Sequence, residues 1–545
     1  MDLTPWLLEI AALTGGYWLI DQGLRGGALD RILPTHIRLD VLVFAALGIS
    51  WLTDWSALPQ PDVLRVLAGL LSGMMAWKAA TRDVDVVTGY DPRLERRILV
   101  AAAIGVWFEP AAVFVVAALL TRPFALWEHH ATLPMRDLQA TTAFVALSMM
   151  GLVHDTGALI WFLLVVHASH YLITALAKIY LGPMPWSWVT DNRLHHLAAS
   201  AWSWGWARFI PWTQWRRFVG ALKIGEVPMQ GFAFGVELLA PFALLHPSMA
   251  ITFCALWSAF HVGVFAASGL LFWDWIGANL ALGIGLALLE GGTFGGWPLL
   301  AGLLMMVLFP LRHKLWKPMP LGWWDTPLTQ RIRWQVVTED GEIYGLYNDF
   351  MDPHARIYGK VHGCFLVPEP VCTYHLGEVY TRDLRDAIRE AEPSLEGLVP
   401  VRERFGILPR DEALAENHRR YLRAFFTALN DGAKKHVLPP ALRWLKAPGG
   451  QIFHWGALPR YHRQAPVTAV QLFFQEAIFD GEQIVVLRDD LIEEIPIVPL
   501  GLDEPAPREP TPKALDMFLL RFAKGKLIDL PGFADGLIGR DDGAP

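Results

Sequence analysis

The stretch GALIWFLLVVHASHYLITALAKIYLG, Gly157 to Gly182, decides what kind of protein this is. It is long enough to cross a bilayer, which takes about 20 largely apolar residues, yet it carries His167, His170 and Lys178. Titratable groups at bilayer depth cost about 2.5–3.5 kcal/mol each on insertion scales, so they face a bundle interior or a water-filled cavity. Helical spacing stacks His170, Thr174 and Lys178 on one face, with His167 one turn earlier. The other side, with Leu163, Leu164, Val166 and Leu172, suits lipid or neighbouring helices.

The rest of the chain agrees with a membrane setting. Of 545 residues 53% are hydrophobic and 18% charged, where an ordinary soluble protein carries about 25% charge. The apolar residues concentrate before about residue 312. The pattern predicts a multi-pass α-helical domain over 1–320, a strand-rich α+β soluble domain over 330–500, and a Pro-rich linker with a short amphipathic tail over 501–545. Candidate spans lie near 4–20, 37–53, 63–80, 98–121, 138–154, 157–181, 229–247, 249–270, 272–290 and 295–312, giving about 8–10 transmembrane helices. Only Met1 and Asp2 precede the first span, so it lacks the basic start of a cleaved signal peptide. Two basic clusters, Arg208/Arg216/Arg217/Lys223 and Arg312/Lys314/Lys317/Arg331/Arg333, favour a cytoplasmic soluble domain in a cell (plasma or inner) membrane.

Net charge is −7 with no long basic run, which gives no reason to expect nucleic acid as a partner. Cys254 falls in a span and reads as a small buried residue. Cys364 and Cys372 flank a turn and would pair only in an oxidising compartment. Two hairpins are expected in the soluble half, turning at Asp340-Gly341 and Asp480-Gly481. Between them, 381–392 and 410–435 have helical spacing. The loop bearing His454, Arg460 and His462 lacks ligand spacing and reads as an ordinary surface loop.

Other polar groups in apolar segments, Glu109, Glu237, His261 and Asp274, are candidates to share a cavity with the Lys178 face; His129/His130 and His195/His196 sit at span ends. Three readings compete. In the plainest, Lys178 snorkels to the interface and the rest are interhelical ties. A histidine-ligated metal centre would need HxxHH spacing, which is absent, so no metal is expected. In the third, burial strips Lys178 of its proton and leaves an amine able to act as a base.

HYLITALAKIYLGPMPWSWVTDNRLHHL, together with GVELLAPFALLHPSMAITFCALWSAFHVGVFAASGLLFWDWIGANLAL and WEHHATL, resembles the vitamin K-dependent γ-carboxylase superfamily, also called the horizontally transferred transmembrane domain. The resemblance covers roughly residues 60 to 312. It implies that Lys178, closing the Tyr171 helix, deprotonates a reduced, vitamin K-like quinone, that His130 assists, and that His261 and Glu237 occupy polar positions of the site. His170, Thr174, Glu237 and Tyr171 would then line the quinone pocket. Oxygen and carbon dioxide would be co-substrates, and the products those of a carboxylase-like lyase or ligase. Ala177 stands where the animal proteins have a second lysine, and the soluble domain matches none of theirs, so a peptide or protein substrate stays open.

The sequence therefore predicts a membrane enzyme using a buried lysine base with a reduced quinone and oxygen to deprotonate, and in the family's chemistry carboxylate, a substrate. The alternative is a non-catalytic membrane protein for transport or for maturation or export of a partner. The enzyme reading carries a geometric expectation: the Lys178 face looks into a largely apolar cavity walled by the Glu237 and His261 helices, and Lys178 has no close carboxylate.

Overall fold

The computed structural model describes residues 4–24, 54–87, 92–120, 132–291, 296–312, 315, 316, 318, 320–347, 350, 351, 363–408 and 410–507. The expected span 37–53, the WEHHATL histidines 129 and 130, and the tail helix at 513–524 lie outside these residues.

The quoted stretch forms helix α6 (Thr156–Ile179), preceded by α1 (Thr4–Leu24), α2 (Pro61–Ala80), α3 (Arg93–Gly105), α4 (Ala112–Leu119) and α5 (Leu133–Met149). Asp155 starts α6 as its N-cap, accepting from the Gly157 backbone N–H at 2.8 Å. Nearly every α6 side chain is buried, including Leu163, Leu164, Val166 and Leu172, so its apolar side meets other helices. A helix buried on every side belongs at the centre of a bundle. Around it pack α1, α5, α9 (Trp212–Leu238), α11 (Trp273–Leu288) and α12 (Gly296–Arg312), with α7 (Ser187–Asp191), α8 (Leu194–Trp204) and α10 (Pro247–Ser268) completing the helical half.

Among the described residues three helices, α2, α6 and α10, are long and apolar enough to cross a membrane; α11 is apolar but shorter. Two expected spans take other shapes. The 98–121 segment is broken into α3 and α4 at Trp107–Ala111, where Pro110 cannot continue the helical hydrogen bonds and disfavours helix at Glu109. The 229–247 segment belongs to α9, which starts at Trp212, passes through Pro228 and gives way to a 3-10 turn at Ala240–Leu244.

Both expected hairpins form. Strands β2 (Leu328–Thr338) and β3 (Ile343–Leu346) pair antiparallel, following the short β1 (Trp324–Asp325). The second hairpin is β5 (Val467–Phe479) with β6 (Ile484–Pro496), and β4 (Glu378–Val379) pairs with β1. Gly341 and Gly481 have φ of +81° and +101°, which the tight turns demand and a Cβ would oppose. The main sheet runs β3-β2-β5-β6, all antiparallel. Helices α13 (Arg382–Glu390), α14 (Val399–Phe405) and α15 (Glu412–Asn430) lie between the hairpins in sequence. Phe425, Phe426 and Leu422 of α15 form a core with Ile332, Trp334, Val336, Leu472 and Phe474 of the sheet. Cys364 and Cys372, left open as a pair by the sequence, are both free thiols.

Helix α8 joins the two halves, its Trp204 stacking edge-on to Phe453 and its Ala198 and Ala199 lying in a cluster with Phe479. Beside it, buried Asp325 accepts from Asn192 Nδ2 at 2.6 Å and from Trp323 Nε1 at 3.1 Å. Burial, aided by the nearby Glu378 carboxyl, outweighs those donors and pushes Asp325 up to about 7. A carboxyl raised above its ordinary 3.8 contributes stability that is complete below that value and lost as pH rises through about 7. The melting temperature should therefore fall between about pH 4 and pH 7, and Asp325→Asn should flatten part of that fall. Identical pH profiles for the two proteins would contradict this.

Candidate functional site

Lys178, at the end of the α6 polar face, meets Glu237 at the end of α9. Its Nζ donates to Oε1 at 2.6 Å and to Oε2 at 2.5 Å, and both side chains are buried. The ammonium also lies 4.4 Å from the centre of the Trp188 ring. The expectation of a lysine without a carboxylate is overturned. A buried cation needs a counter-charge, and Glu237 supplies it across two short contacts. Lys178 thus ties α6 to α9 through Glu237.

Two other expected members of the cavity are engaged elsewhere. Asp274 accepts from Lys78 at 2.8 Å, and Glu109 sits at the α3–α4 break, accepting from the Ala111 N–H at 3.2 Å. His130 lies outside the described residues.

Two to three turns from Lys178 along α6 the helices assemble a different polar constellation. Asp137 of α5 lies 2.7 Å from His167 Nε2, and His167 Nδ1 lies 2.9 Å from Asn279 Oδ1 on α11. Asn279 Nδ2 donates to the Tyr171 hydroxyl at 2.9 Å, which in turn is 3.0 Å from His261 Nε2 on α10. The directions of these bonds fix most of the protons. Asn279 turns its amide nitrogen to Tyr171, so its oxygen accepts from His167 Nδ1–H. The short His167–Asp137 contact then needs one more proton, held between imidazole and carboxylate. Tyr171, already accepting from Asn279, donates to His261 Nε2, which leaves the proton of neutral His261 on Nδ1.

That Nδ1 has no partner among the described residues. Neither has His170 Nε2, whose ring donates through Nδ1 to the Val166 carbonyl at 2.8 Å and so leaves Nε2 with a bare lone pair. Thr174 supports the arrangement by donating to the His170 carbonyl at 3.0 Å. Both rings contact one indole: the His170 and His261 ring centres each lie 5.5 Å from that of Trp275. Tyr171 stacks flat on Trp257 at 4.4 Å, and Phe272 lies 5.1 Å from His261. A buried acceptor and a buried donor thus flank the same aromatic wall. Buried polar atoms are ordinarily satisfied, so these two, set against one indole, stand out among the polar atoms of the helical half.

The sequence brought forward His170, Tyr171, Thr174, Glu237 and His261, and the structure gathers these around α6. It missed Asp137, Asn279 and Trp275, which stand beside other polar or aromatic residues, Arg136 and Gln139 in α5 and Trp273 and Asp274 in α11, with no spacing that singles them out. Among the described residues no three His, Cys, Asp or Glu side chains converge as a metal site. No protein-family profile, curated protein or solved structure matches the chain.

Proposed function

We propose that the helical half is a multi-pass bundle of about eight to ten spans in the cell membrane, and that its centre takes a proton from a reduced quinone with His170, not Lys178, as the base. Three long apolar helices support the membrane setting, and ionisable groups inside such a bundle are by default functional. The observation that carries the reading is the pair of unpartnered imidazole nitrogens beside Trp275.

The residues present fit a quinol. Its flat ring matches the aromatic side chains of Trp275 and Phe272, and its hydroxyl matches one acceptor and one donor. His170 Nε2 is placed to receive the hydroxyl proton, and His261 Nδ1–H to hold the oxygen as negative charge grows on it. Tyr171 and Asn279 orient His261, while the Asp137–His167 pair holds a proton further along the chain. A bound quinol would supply reducing power for the reaction with oxygen. Carbon dioxide joins as co-substrate if the outcome is the carboxylation that the family resemblance implies. Lys178 and Glu237 fix the α6–α9 geometry beneath this site.

The second reading, a non-catalytic membrane protein for transport or for partner maturation, draws on that same closed ion pair, which has the form of an interhelical tie. Mass spectrometry of quinones and lipids co-purifying with the protein separates the two. A quinone should accompany the parent and a Lys178→Met/Glu237→Leu variant but leave a His170→Leu/His261→Leu variant. Parent protein free of quinone would favour the second reading.

A further inference from the structure

Where the end of α2 meets the soluble half, a cavity of about 250 Å³ opens between Thr81, Asp83, Phe350 and the 435–463 segment. Its lining is strongly basic. Lys435, Arg443, Lys446 and Arg463 face one carboxylate, Asp83, with His436 and His462 beside them. Asp83 is saturated: Lys435 donates to it at 2.6 Å, Lys446 at 3.0 Å, and the His436 ring lies 3.0 Å away. Burial alone would raise the Asp83 carboxyl, but the Lys435 ammonium and its companions outweigh that and hold it below the ordinary carboxylate range. The cluster is built rather than incidental, since the Lys435 and Asp83 side chains are each only 2% exposed.

Asp83 leaves the guanidiniums uncompensated. Arg443 makes no side-chain hydrogen bond or ion pair among the described residues, and Arg463 bonds only the carbonyls of Leu429 and Ala433, at 2.8 and 3.0 Å. Arg463 is also held at φ +69°, a left-handed conformation that a side chain adopts at a cost. Guanidinium forks beside ammonium groups are the arrangement that recognises phosphate oxygens.

The rim points to where such a phosphate would lie. Thr81 directly follows α2, and Trp77 and Trp273 donate to the carbonyls of Leu445 and Pro448 at 2.7 and 2.9 Å. The adjoining turn Pro440–Leu445 exposes Leu442, Leu445 and, at 78%, Trp444. Tryptophans at a span end and bare apolar side chains beside a basic pocket fit the headgroup layer of a bilayer.

We propose that this cavity binds a phosphate ester, gripped by Arg443 with Lys435 and Arg463, carried by an anionic lipid or by a small phosphorylated solute. The site is independent of the quinol reading. The test uses the full chain in detergent, with native mass spectrometry against phosphatidylglycerol and phosphatidylcholine and calorimetric titration with inorganic pyrophosphate. Parent protein should bind at least one phosphate probe in a salt-sensitive way. Arg443→Glu should weaken it about tenfold or more, and Arg443→Lys should largely retain it. Preference for phosphatidylglycerol that pyrophosphate does not displace identifies a lipid headgroup; pyrophosphate binding that displaces the lipid, or occurs without lipid preference, identifies a soluble phosphate. Should Arg443→Glu lower the melting temperature, His462→Glu on the exposed loop replaces it. Equal binding of both probes by parent and charge-reversed protein, or no binding of either by the parent, overturns the proposal.

Discussion

Replacing Lys178 with Met alone should destabilise the protein by about 3–5 kcal/mol, and adding Glu237→Leu should restore most of that loss. The single change strands a buried carboxylate that now accepts two short bonds from the ammonium. The double change removes both charges and leaves two apolar side chains of similar volume in an apolar setting, which is often neutral or better. Glu237→Leu alone should be as harmful, since it leaves the cation against Trp188 with no counter-ion. Thermal unfolding in detergent of the four proteins completes the cycle. A Lys178→Met protein as stable as the parent would mean that the pair contributes nothing, and the tie between α6 and α9 would have to be sought elsewhere.

Much of the architecture could be read from the chain because its causes are local. The Asp-Gly turns and alternating apolar residues at 328–346 and 467–496 specify hairpins without help from distant residues. The break at Glu109-Pro110 was equally local but was masked by the apolar run on either side. The site was legible only as a list. Spacing along α6 places His170, Thr174 and Lys178 on a common face, and they are indeed buried together. It does not say which neighbour each will find, because that depends on how α9, α10 and α11 pack against α6. Glu237 lies 59 residues from Lys178, and Asn279 lies 112 from His167. Contacts of that range are set by tertiary packing, so the lysine read as a base is an ion pair, and the open nitrogens belong to two histidines. The loop at 454–463 carries no ligand spacing, and the fold places its Arg460, His462 and Arg463 in the lining of one cavity with Asp83 and Lys435.

Turnover carries the second large effect. A positioned general base contributes about 10²–10⁴-fold, so His170→Leu should lower consumption of a short-chain reduced quinone under oxygen by that factor. Leucine fills the ring's place apolarly and removes the unpartnered Nε2 beside Trp275, while the Asp137–His261 chain stays intact, since His170 takes no part in it. Lys178→Met/Glu237→Leu, which keeps both imidazoles and the Trp275 wall, should retain the parent's rate within about tenfold. The decisive measurement is therefore the rate of quinol consumption by parent, His170→Leu and the Lys178/Glu237 double variant in the same lipid. Loss of the rate in His170→Leu, with the double variant still turning over, is the result predicted. An inactive double variant beside an active His170→Leu would return the proton to Lys178, and a parent with no quinol reaction would contradict the account altogether.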